Sequence, residues 1–189
     1  MHIFGVTNGP ARTALLRSGL QTSSYTAKYL YELKTELWAI GKTNEPYLEE
    51  GMGIYLRRLG HYLKFELAIL PDVKNAGKLR AEQLREAEAE TVLNRLRPGD
   101  HLILLDENGR QPSSEEFAGL LNQKFQLSHK RLVFLIGGAY GFSDGLYQRA
   151  DMKLSLSRMT FSHQMVRLFF LEQLYRAMTI LNNEPYHNP

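Results

Sequence analysis

From Leu33 onwards the 189-residue chain alternates two rhythms of apolar and polar positions. Compact apolar runs at residues 35–40, 63–70, 101–105, 131–136 and 153–156 are too short for helices and are bounded by turn residues, so they read as strands. Between them, apolar side chains recur at helical spacing. Leu48, Met52, Tyr55 and Leu59 follow an Asn44 cap and Pro46 in the first turn. Residues 78–97 read as a long charged helix with Ala89, Val92, Leu93 and Leu96 as its buried stripe and its glutamates as a solvated face. Pro98 and Gly99 stop it, and Asp106 to Arg110 reads as a turn. Ser113-Ser114-Glu115-Glu116 is a capping box that starts a helix running to about Phe125. A short helix follows Ser143-Asp144, and a last one starts at Ser162, flanked by Phe161 and Val166 as a hydrophobic staple would be. Strands alternating with helices predict an α/β sheet of mainly parallel strands.

The last helix carries more apolar residues than one sheet can cover: Met165, Val166, Leu168, Phe169, Phe170 and Leu171 are consecutive but for Arg167. A helix packed on one sheet needs one apolar stripe, so the surplus implies complete burial or a dimer interface. Against this background Arg167, Glu172 and Arg176 stand out. Glu172 and Arg176 have i, i+4 spacing in the favourable orientation, which a plain helix pair also explains. Asn182, Asn183 and Pro185 then stop the helix, and the tail presents Tyr186 and His187. Tyr186 offers a stacking face and a hydroxyl, and His187 a group that exchanges a proton near neutrality. The pair suits recognition of a flat base and proton handling on it, or else a tail that folds back and packs.

Composition narrows the chemistry. The chain is 43% hydrophobic and has no cysteine, so thiol catalysis, disulfides and thiolate metal sites are excluded. Its six histidines lack metal-ligand spacing, and no metal is expected. No apolar run is long enough to cross a membrane without charge, so a soluble, cytoplasmic protein is expected. Residues 1–32 hold three basic side chains and one acid and lack the apolar core of a secretory signal. They read as an N-terminal extension, poorly ordered or foreign to the domain, which begins at an apparent start at Leu33 and runs as a single unit over residues 33–189. Outside that extension the charge is nearly balanced. Residues 72–120 hold seven basic and ten acidic groups, whereas residues 130–189 hold seven and four. That bias is weak evidence for a phosphate-bearing partner.

In open α/β sheets ligands bind beyond the carboxyl ends of strands. Three such ends are unusual here: Leu105-Asp106-Glu107, Ile136-Gly137-Gly138, and Leu156-Ser157-Arg158-Met159-Thr160-Phe161. Glycines after a buried strand let backbone approach a ligand. The Gly-Gly-x-x-Gly pattern lacks the spacing of a dinucleotide fingerprint and the lysine of a phosphate loop, leaving room for a neutral or cationic nucleoside.

Four separated motifs, Leu-Ile-Gly-Gly-Ala-Tyr-Gly (135–141), Leu-Ser-Leu-Ser-Arg-Met-Thr-Phe-Ser-His-Gln-Met-Val-Arg (154–167), Glu-Gln-Leu-Tyr-Arg-Ala (172–177) and Pro-Tyr-His (185–187), occur in order. Together they resemble the SPOUT-class methyltransferases that act on N3 of a pseudouridine in 23S ribosomal RNA. The likeness runs from Leu33 to the end. It implies a SPOUT α/β fold with a C-terminal deep trefoil knot, a homodimer, and S-adenosylmethionine bound in the knot. Adenine would meet backbone at Leu105, Gly137, Gly138, Leu156, Ser157, Arg158, Met159, Thr160 and Phe161. His187 is the first candidate to assist loss of the N3 proton, with Tyr186 stacking or hydrogen-bonding, Arg176 holding the base or its developing anion, and Glu172 as partner of Arg176. A nearly neutral enzyme without a basic arm suits a large preassembled surface, so the implied partner is ribosomal RNA within the assembled ribosome. A non-catalytic RNA-binding or ribosome-assembly factor on the same fold is the alternative, and a transfer-RNA methylase a third.

Overall fold

The computed structural model describes residues 33–187. The expectations for residues 1–32 therefore lie outside the described residues. Five parallel strands, β1 (Lys34–Ile40), β2 (Phe65–Leu70), β3 (Asp100–Arg110), β4 (Arg131–Ile136) and β5 (Met152–Leu154), form one sheet in the order β2-β1-β4-β3-β5. Helices α1 (Pro46–Leu59), α3 (Ser114–Gln126) and α5 (Met165–Leu181) cover one face. Helices α2 (Ala81–Arg95) and α4 (Asp144–Arg149) cover the other.

The central strands are apolar over their middle stretches, Leu37–Ile40, Leu102–Leu105 and Leu132–Ile136, because both of their faces are covered there. In β1, Leu37 and Ala39 enter the core beneath α1, α3 and α5, while Trp38 and Ile40 enter the core beneath α2 and α4. The capping box forms as read: Ser113 Oγ accepts from Glu116 N–H, and the Glu116 carboxylate accepts from Ser113 N–H. Helix α5 lies between α1 and α3, which accounts for part of its apolar surplus. Phe170, Leu171, Leu174, Ala177 and Met178 are buried, whereas Phe169 remains 41% exposed.

Five local readings change. The α2 helix is shorter than residues 78–97, because residues Ala76–Lys78 form a separate 3-10 turn after the left-handed Asn75. Its stripe is rotated: Ala89 and Val92 are buried, but Leu93 is exposed and Glu88 takes the inward place, so the glutamates are not all solvated. Residues 106–110 continue β3 through a register shift that pairs Arg110 with Leu154. At Gly109 a Cβ would sit 2.6 Å from the Leu154 backbone, so the strand passes there only without a side chain. Finally α5 starts at Met165, with Ser162 Oγ accepting from the Met165 N–H in a preceding turn, and Glu45, not Asn44, holds the N-cap position of α1, without a side-chain cap bond.

The amino-terminal edge of the sheet holds a buried charge network. Arg131 donates to Glu36 at 3.2 Å and to Asp100, while Lys34 reaches Glu36 at 2.6 Å and Trp38 Nε1 donates to the same carboxylate at 2.5 Å. Burial opposes ionisation of both acids. Lys34, Trp38 and Arg131 outweigh it at Glu36, and Arg131 with the Arg97 N–H outweighs it at Asp100, so both carboxyls stay below their usual range. Beside this network the buried His101 stacks on His129 with ring centroids 4.5 Å apart. Burial, then Lys124, push His101 down to about 4 against the pull of Asp151.

A histidine that titrates near 6.5 unfolded and near 4 folded binds fewer protons in the native state. Its stabilising effect is therefore complete above pH 6.5 and is lost as pH falls towards 4. The melting temperature is expected to fall across that window, before Glu36 and Asp100 protonate. The variant His101→Gln, followed by circular dichroism from pH 7 to pH 4, should lose this part of the slope. An unchanged slope would place the acid sensitivity elsewhere.

Candidate active site

The carboxyl ends of β3, β4 and β5 converge on a cavity of about 570 Å³, a size suited to a nucleoside-sized ligand. Three chain segments build it: Leu105 to Asn108, Ile136 to Phe142, and Leu154 to His163 without Arg158, with Tyr147 and Val166 closing the side. Every cofactor position expected from the sequence lines this cavity except Arg158, which belongs to the same loop but does not border the cavity. Ser157 shapes that loop. Its hydroxyl accepts from the Met159 N–H at 2.9 Å and its carbonyl accepts from Ser155 Oγ at 2.9 Å.

The glycine turn is glycine for a reason that lies behind it. A Cβ on Gly137 would sit 2.9 Å from the Phe142 ring, and one on Gly138 would collide with the Glu88 carboxylate. The packed side of the turn thus leaves no room for side chains. The lining is acidic. Asp106 and Glu107 border the cavity, and no Lys or Arg does among the described residues. Asp106 accepts from the Tyr147 hydroxyl at 2.6 Å; burial first, and then this bond, push Tyr147 up to about 12. His163 also lines the cavity, and burial with Arg167 beside it lowers its pKa.

Arg167, which the sequence presents as an interruption of the last helix, is fully buried. Its guanidinium donates to the carbonyls of Ile40 at 2.7 Å, Gly41 at 2.9 Å and His163 at 3.1 Å, and to Thr43 Oγ1 at 3.0 Å. It therefore ties the start of α5 and the His163 side of the cavity to the end of β1.

The expected catalytic group assembles as a second cluster on the outer part of α5. Arg176 grips Glu172 through Nη2 at 2.6 Å and Nε at 3.1 Å, and its guanidinium lies 4.8 Å from the centroid of the Tyr186 ring. Tyr186 donates to Glu172 at 3.1 Å and meets the Tyr55 hydroxyl at 3.4 Å; burial, Tyr55 and Glu172 raise its pKa. His187 Nε2 lies 2.6 Å from Glu115 on the first turn of α3. The Ser113 hydroxyl, the Glu115 amide and His187 pull that carboxyl down to about 2. The tail folds back along its own helix, and Glu184 accepts from Tyr62 at 2.5 Å.

Neither Glu172, Arg176, Tyr186 nor His187 borders the cavity of its own chain. Sequence reasoning named Asp106 and Glu107 only within an unusual strand end, and it gave no role to Glu88, Tyr147 and His163 around the cavity or to Tyr55 and Glu115 around the tail. Only Asp106 and Glu107 carried a signal, as acids directly after a buried strand. Among the described residues no group of three or more His, Cys, Asp or Glu could hold a metal ion, and no helix is long and apolar enough to cross a membrane.

Comparison with known proteins agrees with this architecture. Residues 33–187 match the family described as "Predicted SPOUT methyltransferase". The chain is 52% identical over 156 residues to the ribosomal RNA large subunit methyltransferase H of Parabacteroides distasonis, covering 82% of this chain and 99% of that protein. It is 51% identical over 156 residues to the protein of that name from Porphyromonas gingivalis, with 82% and 99% covered. The one from Christiangramia forsetii is 54% identical over 153 residues, with 81% and 98% covered. A family match over four-fifths of its length, a wholly parallel α/β sheet and a cavity at the strand ends make this chain a member of the SPOUT methyltransferase family.

Proposed function

We propose that the protein is an S-adenosylmethionine-dependent methyltransferase acting on N3 of a pseudouridine in 23S ribosomal RNA, on the assembled ribosome and as a homodimer with a knotted C-terminal segment. The observation that carries the cofactor is the lining of the cavity. Backbone and small polar groups with two carboxylates and no Lys or Arg disfavour a triphosphate and suit a cationic nucleoside. When bound there, the cofactor supplies an electrophilic methyl by in-line displacement, the S–CH3 bond breaking as the N3–CH3 bond forms.

The protein's own residues then have three tasks. The outer half of β3 and the segments after β4 and β5 hold the nucleoside against backbone and exclude water. The N3 proton must leave, and His187, whose Nε2 meets Glu115 at 2.6 Å, is the candidate to assist its loss. Arg176, set by Glu172 and stacked on Tyr186, offers charge to the imide anion that develops. Because this cluster does not border the cavity of its own chain, the reading requires the tail of one protomer to complete the cavity of the other. The relatives' printed name supports the RNA substrate class.

The exposed flank of α5 suits the dimer contact. Phe169 is 41% exposed and stacks on Phe161 with centroids 4.7 Å apart, beside the cavity. Phe169→Glu is expected to give monomers by sedimentation that have lost methyl transfer; an active monomer would refute the shared site. Calorimetry with S-adenosylmethionine, and mass mapping of 23S RNA from a deletion strain with and without the gene restored, test the activity itself. A protein that binds ribosomes but not the cofactor would be an assembly factor.

A further inference from the structure

Behind the glycine turn lies a charge that the proposed chemistry has not yet used. Glu88 on α2 is 8% exposed, and its carboxylate is packed against Gly138, whose N–H favours the ionised form. No salt bridge reaches it among the described residues. The charge that acts on it is that of another acid, Asp72, and the field of Asp72 also reaches Arg167 and His163. Glu86 and Glu90 on the same helix point to water. A single backbone donor is poor compensation for a buried carboxylate, since burial of an unpaired charge is costly unless something of opposite sign arrives.

On the reading that the cavity takes S-adenosylmethionine, we propose that Glu88 is a specificity-determining residue that selects the cationic methyl donor over the neutral thioether left after transfer. The donor carries a sulfonium that the product lacks, and the two are otherwise nearly the same molecule. Glu88 stands one residue's thickness behind the wall formed by Gly138 and adds its field to that of Asp106 and Glu107 on the lining. The effect acts through space, so Glu88 need not touch the ligand. Low local dielectric and exclusion of water make a charge at this depth count for more than one on the surface. Loss of the positive charge on transfer then weakens the hold on the product, which favours its release.

Burial, with Asp72, raises the Glu88 pKa against the pull of the Gly138 N–H. The test is therefore run at pH 8. Calorimetry on the full chain compares S-adenosylmethionine, S-adenosylhomocysteine and sinefungin, which places a protonated amine where the sulfonium stands. Glu88→Gln keeps size and the acceptor for Gly138 but removes the charge. It is expected to weaken both cationic ligands about five- to twentyfold while changing the neutral product less than about twofold. Glu88→Asp keeps the charge and should retain most of the preference. Equal losses for all three ligands in Glu88→Gln would make the residue a support for the turn and overturn the proposal. If Glu88→Gln does not fold, a Glu88→Asp protein without the preference would overturn it as well. Failure of the unaltered protein to bind any of the three would overturn the cofactor reading itself, a result distinct from equal losses.

Discussion

Arg176→Ala is expected to lower single-turnover methyl transfer on intact ribosomes by more than two orders of magnitude, and His187→Ala by about two. Both should leave cofactor affinity unchanged. The two side chains sit in one cluster but are held differently. Arg176 is fixed by two bonds to Glu172 and by the Tyr186 ring, so its removal leaves Glu172 without its cation and takes the guanidinium off the Tyr186 ring. His187 hangs on Glu115 alone among the described contacts, and its loss takes away the proton acceptor but leaves the Arg176–Tyr186 platform in place. Stability should change by about 1 kcal/mol or less in either variant, because the groups are near the surface. Normal turnover of His187→Ala once saturated with ribosomes would reduce the tail to a docking element, and the binding curve measured alongside would show it.

Arg167→Met should cost the most in stability, about 2–4 kcal/mol. Methionine fills much of the space, but the carbonyls of Ile40, Gly41 and His163 lose their donor in a place without water. The fall in melting temperature should be roughly 5–15 °C for a domain of this size. Arg167→Lys is not expected to rescue it, since one ammonium cannot reproduce a planar fork that meets four acceptors on two segments at once. Cofactor affinity should fall too, because the β1 end and the His163 side of the cavity are tied through this one group. A melting temperature within about 2 °C of the unaltered protein would show that water or a shift of α5 replaces the guanidinium.

Much of this molecule is legible in order along the chain. The apolar run at residues 131–136 is β4 as read, the box at Ser113 starts α3, and Ser143 caps α4, because each signal is local and its partners lie within four residues. The cavity is legible for a related reason. In a parallel sheet the carboxyl ends of strands must lie on one side, so unusual residues after β3, β4 and β5 are brought together by the topology alone. The motifs at residues 135–141 and 154–167 could therefore be assigned to one site without knowing its shape.

What failed to show in the sequence are the residues whose meaning depends on direction. Glu88 sits among glutamates at 82, 86 and 90, and nothing in composition distinguishes the one that turns inward; the rotation of α2 about its axis, set by Ala89 and Val92 in the core, makes that choice. Arg167 looks like a break in an apolar helix, yet it is fully buried, because α5 enters the layer beneath the end of β1 and places that position against the carbonyls of Ile40 and Gly41. His187 and Glu115 are 72 residues apart and meet only because the tail reverses along α5. The sequence by itself determined the elements, their order and the edge of the sheet that carries chemistry, since periodicity and caps act over a few residues. The tertiary structure alone decided which charged side chains face inward and which partners they meet, because that depends on how each helix is rotated against the sheet.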